Sequence, residues 1–88
     1  MEKLFLTFYE TIIDDPRIGA SHISIYMTLL YLHKNKNPFE ISRDVVMKCA
    51  KISARQTYNK CINDLQAFGY IKYSPASNAF EESVVWLI

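Results

Sequence analysis

Four stretches of the chain carry apolar residues at helical spacing, and three shorter ones read as extended. Residues 3–13 place Leu4, Phe5, Phe8, Tyr9, Ile12 and Ile13 in adjacent pairs one turn apart, the stripe of an amphipathic helix. Leu4 to Tyr9 taken alone also fits a strand. Asp14-Asp15-Pro16 stops this element, because proline breaks the hydrogen-bond ladder and restricts the residue before it, and Gly19 extends the break. Residues 21–34 predict a second helix, with Ser21 as N-cap. Ile25, Leu29 and Leu32 recur along it, flanked by Tyr26, Leu30 and His33, and Asn35 to Pro38 ends it. Phe39-Glu40-Ile41 is extended and too short to stand alone. Ser42 is the N-cap of a third, short helix, with Asp44 suited to the dipole of its first turn and Val45, Val46, Cys49 and Ala50 as its apolar face. Lys51-Ile52 is a turn. Ser53 opens a fourth helix with Gln56 at capping-box spacing, and Tyr58, Cys61, Ile62, Leu65 and Phe68 form its stripe. Gly69 terminates it. Tyr70 to Tyr73 reads as a strand, Ser74-Pro75-Ala76-Ser77-Asn78 as a turn, and Ser83 to Ile88 as the partner strand.

The implied fold class is mainly α with a small antiparallel β-hairpin. Two helices joined by a three- to four-residue turn and followed at once by a hairpin have the order of a winged helix-turn-helix. A two-stranded ribbon is marginal alone, so the hairpin needs the helices against its apolar face. With 88 residues the chain holds one domain, 1–88, in which 1–15 is an N-terminal helix and 18–88 the winged-helix core. Half the residues are hydrophobic, and with only 2 Gly and 3 Pro neither disorder nor a loop-rich scaffold fits. No apolar run is long enough for a membrane span, and Met1 to Tyr9 lacks the layout of a secretory signal, so a cytoplasmic protein is expected. The apolar ending Trp86-Leu87-Ile88 also fits a piece of a longer chain.

A net charge of +1 is weak for a partner of nucleic acids, and its distribution carries the argument. Residues 43–60 hold Arg43, Lys48, Lys51, Arg55 and Lys60 against Asp44, a local +4, while 1–20 and 61–88 each sum to −2. Positive charge gathered in one short stretch is the footprint of phosphate binding.

The run from Ala54 to Ile71, ARQTYNKCINDLQAFGYI, resembles the recognition-helix signature of bacterial winged-helix regulators of the GntR and MarR kind. The matching positions are Arg55 and Thr57, then Tyr58, Asn59 and Lys60, the pair Cys61-Ile62, Leu65, and Gly69-Tyr70-Ile71. Tyr58 departs from it, since those regulators usually carry Val or Ile there. The longer run from Ile18 is similar to small helix-turn-helix regulators of mobile-element, replication and transfer modules. The resemblance implies binding of double-stranded DNA, transcription regulation and a homodimer.

With the apolar stripe buried, Arg55, Gln56, Thr57 and Asn59 are the candidates for reading base edges, because arginine pairs with guanine and asparagine or glutamine with adenine. Ser42, Arg43, Lys48, Lys51, Ser53 and Lys60 are the candidate backbone contacts, and Lys72, Tyr73, Ser77 and Asn78 the candidate wing contacts. The plain alternative for each is a solvated polar face. Tyr58 reads as core or, alternatively, as leaning toward the DNA backbone, and His22 and His33 read as ordinary helix residues. Phe5, Phe8 and Tyr9 either complete the monomer core or pack against a second copy, and Trp86 is core or interface. Cys49 and Cys61 read as two core thiols rather than a disulfide. No cofactor and no metal are expected, since the two histidines have no ligand partner at suitable spacing. The adjacent pairs Asp14-Asp15 and Glu81-Glu82 read as solvated, and no catalytic layout is present, so the chain is not expected to be an enzyme. The alternative function is a winged-helix module for protein interaction, or an accessory in replication initiation or transfer.

Overall fold

Pro16 and Gly19 separate two helices, α1 (Glu2–Ile12) and α2 (Ala20–His33). A computed structural model describes residues 2–34, 36–75 and 83–88 of the chain. After α2 come β1 (Phe39–Ile41), α3 (Arg43–Ala50), α4 (Arg55–Ala67), β2 (Ile71–Ser74) and β3 (Ser83–Leu87). The architecture is mainly helical with a small three-stranded antiparallel sheet. Among the described residues, no helix is long and apolar enough to cross a membrane.

The element order expected from the apolar pattern is the observed one, and the first corrections lie at helix ends. The N-cap of α2 is Gly19, not Ser21. His22, three residues on, accepts the Gly19 N–H at Nδ1 (3.0 Å), so an imidazole fills the place that glutamate takes in a capping box. Ser42 is the N-cap of α3 as expected, though without a side-chain bond. The N-cap of α4 is Ala54, not Ser53, and no side-chain cap bond is made there, so the Ser53/Gln56 box is not formed. Gly69 does terminate α4. It takes φ +89°, its N–H donates to the Gln66 carbonyl and that of Tyr70 to the Leu65 carbonyl, the paired bonds of a Schellman motif. Lys51 plays the same part after α3 at φ 62°, a left-handed conformation that a lysine adopts only against steric resistance.

Helix α2 is the central post. Ile25, Tyr26, Leu29 and Leu30 are all buried, so apolar side chains point to more than one side, as a helix packed between neighbours requires. Helices α3 and α4 pack on it, and α4 also contacts β2. On α3 the buried positions are Val46 and Ala50, with Met47 half-buried; Val45 and Cys49 are exposed. The expected face of α3 is therefore rotated, because α2 covers only one narrow side of so short a helix. Cys61 is a buried free thiol as expected, whereas Cys49 is a free thiol at the surface.

The extended segment 39–41 joins the hairpin as a third strand. The order is β1-β3-β2, with Phe39 opposite Val85 and Tyr73 opposite the same residue on the other side. Phe39, Ile41, Ile71, Val85 and Leu87 turn one face of the sheet into the core. Beyond β1, Asn37 extends the ladder through its side chain. Its Oδ1 accepts the Leu87 N–H and its Nδ2 donates to the Leu87 carbonyl, both at 2.8 Å. Asn37→Ala leaves both Leu87 groups without these partners, and the expected loss is about 1–3 kcal/mol. The urea midpoint, read with the slope unchanged, checks it.

Helix α1 closes the other end. Phe8 stacks on Tyr26 at 3.8 Å between centroids and 11° between planes, and meets Tyr70 edge-on at 5.4 Å. Phe8 and Ile12 are buried within this single chain, while Leu6 and Tyr9 on α1 and Ile13 just after it remain exposed. The loop after α1 is tied down by Asp15, which was expected to be solvated. Its carboxylate accepts two bonds from the Arg17 guanidinium (2.9 and 3.0 Å) and one from the Tyr70 hydroxyl (2.7 Å). The Arg17 guanidinium in turn lies 4.1 Å over the Phe68 ring.

Candidate nucleic-acid interface

The geometry of the site follows from which side of α4 is buried. Tyr58, Cys61, Ile62 and Leu65 are each no more than 3% exposed. Arg55, Gln56, Asn59 and Lys60 are exposed on the remaining surface, and Thr57 is half-buried at its border, as the stripe predicts. Asn63 belongs to the same exposed side and was missed. It lies four residues after Asn59 and seven after Gln56, so the spacing alone could have found it. The result is a helix surface of one guanidinium and three carboxamides, groups that offer donors and acceptors in pairs. Ser53 is exposed just before α4, and Ala54 supplies no side chain to the N–H groups of the first turn.

Tyr58 is core. Burial pushes its hydroxyl up to about 12, with smaller contributions from the nearby Tyr73 and, in the opposite sense, Arg43. Burial likewise raises the Cys61 thiol. These groups support the helix from behind and are not available to a ligand.

Helix α3 carries the candidate backbone contacts. Ser42 is half-buried at its N-cap, Arg43 is exposed with its Nε 3.8 Å from Asp44, and Lys48 and Lys51 are exposed. Lys48 and Lys51 border an open groove between α2 and α3, together with Met27 and Tyr31. The Ser24 hydroxyl crosses the base of this junction to the Ala50 carbonyl. The wing candidates divide. Lys72 is exposed and its ammonium sits 5.5 Å from the Trp86 ring centre. Trp86 is half-buried on the side of the sheet facing away from the core. Tyr73 is half-buried and engaged: its N–H donates to Gln66 Oε1 (2.6 Å), and its hydroxyl is 3.1 Å from Ser83 Oγ. Ser77 and Asn78 lie outside the described residues, as do Asn35, Glu81 and Glu82.

Lys60 and His22 differ most from expectation. Lys60 donates to Asp64 Oδ2 at 3.0 Å, one turn along α4. The same oxygen lies 2.9 Å from Nε2 of His22. Because Nδ1 of that ring accepts the Gly19 N–H, the ring proton is assigned to Nε2, which donates to Asp64. His22 thus joins the start of α2 to the middle of α4. His33 is also buried, and its Nδ1 has no hydrogen-bond partner among the described residues. His22 is thus more than an ordinary helix residue, whereas His33 is a buried residue of the last turn of α2.

Two carboxylates are held below the usual aspartate range. Asp15 is lowered by its hydrogen bonds from Arg17 first and Tyr70 second. Asp64 is lowered by its bonds from His22 first and Lys60 second. Tyr70 is pushed up to about 12, by burial first and then by the bond to Asp15. A carboxylate that is more acidic folded than unfolded stabilises the fold above its unfolded value. That stabilisation is lost as pH falls through the folded value. Stability is therefore expected to decline below about pH 5, and Asp15→Asn should make the decline shallower. Thermal melts from pH 7 to pH 2 check this; parallel curves for the two proteins would remove Asp15 from the account.

Comparison of the chain with protein-family models, with curated proteins and with solved structures returned no match.

Proposed function

We propose that this chain is a winged helix-turn-helix domain that binds double-stranded DNA in a sequence-specific way, with α4 in the major groove. In this reading, α3 and α4 are the two helices of the motif, joined by residues 51–54, and β2 with β3 is the wing. One observation carries the reading: burial of Tyr58, Cys61, Ile62 and Leu65 leaves Arg55, Gln56, Asn59 and Asn63 together on the free side of α4. These residue types pair with base edges, and the major groove is wide enough for a helix. Arg43, Lys48 and Lys51 then serve as backbone contacts, within the stretch of local +4 charge. The resemblance of Ala54–Ile71 to bacterial regulators points the same way and favours transcription regulation in the bacterial cytoplasm as the role.

A two-fold dimer through α1 is part of the proposal. Leu6 at 55% and Ile13 at 75% exposure are apolar groups that the single chain leaves uncovered. A dimer doubles the contacts on a pseudo-palindromic site.

The test is a fluorescence-anisotropy titration on labelled duplex at several salt concentrations, followed by selection of bound sites from a random duplex pool. Affinity is expected to fall as salt rises, since phosphate neutralisation releases counterions. The selected pool should converge on one site. Failure to bind duplex at low salt would remove DNA from the reading and leave the protein-interaction module.

A further inference from the structure

We infer that Asp64 limits the electrostatic strength of the α4 surface by withholding Lys60 from the phosphates of the ligand. The inference rests on the proposed duplex binding. The Lys60 ammonium is 3.0 Å from Asp64 Oδ2, and Lys60 is 74% exposed while Asp64 is only 25% exposed. An exposed lysine pair of this kind is weak when the carboxylate is free to swing away. Here it is not free, because the largely buried His22 ring donates to the same oxygen and is itself fixed by the Gly19 N–H. The negative charge is therefore held beside Lys60. The pair enters any complex as a neutral unit, and the net positive charge that α4 presents is that of Arg55.

The chemistry offers a clean variant. In Asp64→Asn the amide oxygen still accepts the His22 Nε2–H, so the tie between α2 and α4 is kept, while the charge opposite Lys60 disappears. Lys60 then acts as one additional phosphate contact. Its effect appears in the salt dependence, which a purely structural role for Asp64 would not alter. For one more neutralised phosphate the plot of log affinity against log salt should steepen by about 0.9, roughly a threefold larger change in affinity between 50 and 200 mM salt.

The experiment compares four proteins on one duplex: wild type, Asp64→Asn, Lys60→Gln and the double variant, with circular dichroism to confirm the fold. The expected result is a steeper slope and tighter low-salt binding in Asp64→Asn, weaker binding in Lys60→Gln, whose Asp64 charge is left uncompensated, and a return to the wild-type slope in the double variant, whose α4 again carries only the charge of Arg55. An unchanged slope in Asp64→Asn overturns the inference while leaving duplex binding intact. Should Asp64→Asn fail to fold, acetylation of Lys60 in the wild type with and without duplex decides: unchanged reactivity supports the inference, and protection of Lys60 by duplex shows that it was already engaged with phosphate and overturns it. Absence of binding by the wild type overturns both this inference and the proposed function.

Discussion

Replacing Arg55 and Asn59 together with alanine is expected to weaken binding to the selected duplex by about 2–4 kcal/mol, roughly 30- to 1000-fold. In the proposed complex each residue would supply a pair of donors or acceptors to a base edge, worth about 1–3 kcal/mol when removed alone. The two sit one turn apart on α4, so their losses need not add. The variants should also differ in kind. Arg55→Ala removes a charge, weakens binding to any duplex and flattens the salt dependence; Asn59→Ala relaxes sequence preference and leaves the salt slope alone. Both side chains are exposed, so neither substitution should move the thermal midpoint appreciably. Equal losses on selected and random duplex would show that α4 meets only the DNA backbone.

The largest effect on stability is expected from Phe8→Ala, about 3–5 kcal/mol, against a total of about 5–15 kcal/mol for a domain. Phe8 is 2% exposed, stacked on Tyr26 and edge-on to Tyr70, so its removal opens a cavity where α1, α2 and the start of β2 meet. The wall cannot collapse easily, since Tyr26 belongs to the central helix and Tyr70 is held by Asp15. Urea unfolding followed by tyrosine fluorescence and by circular dichroism gives the measurement. A loss below about 1 kcal/mol would mean that α1 is not docked on the core. Leu6→Ala is the control. It is expected to change monomer stability by less than about 0.5 kcal/mol, and a dependence of its effect on protein concentration would report pairing through α1.

Much of this molecule was legible in its residue order. The stripe Tyr58, Cys61, Ile62, Leu65 set the buried side of α4, and with it the polar side, because four apolar groups at helical spacing admit one orientation against a core. Pro16 and Gly69 marked element ends through backbone constraints that act locally. These features depend on neighbours within a turn or two, and the sequence by itself determined them.

Partnerships between residues distant in sequence were decided only by the tertiary structure. His22 and Asp64 are 42 residues apart, Asp15 and Tyr70 are 55, and Asn37 and Leu87 are 50. Nothing in the local pattern distinguishes these side chains from solvated ones. The rotation of α3, which exposes Val45 and Cys49, was likewise set by how much of so short a helix α2 covers. The short segment 39–41 gained its role as a strand from an edge that β3 supplies. Local periodicity decides which face is apolar; packing decides which polar groups become buried, and burial is what turns a histidine or an aspartate into a fixed part of the structure.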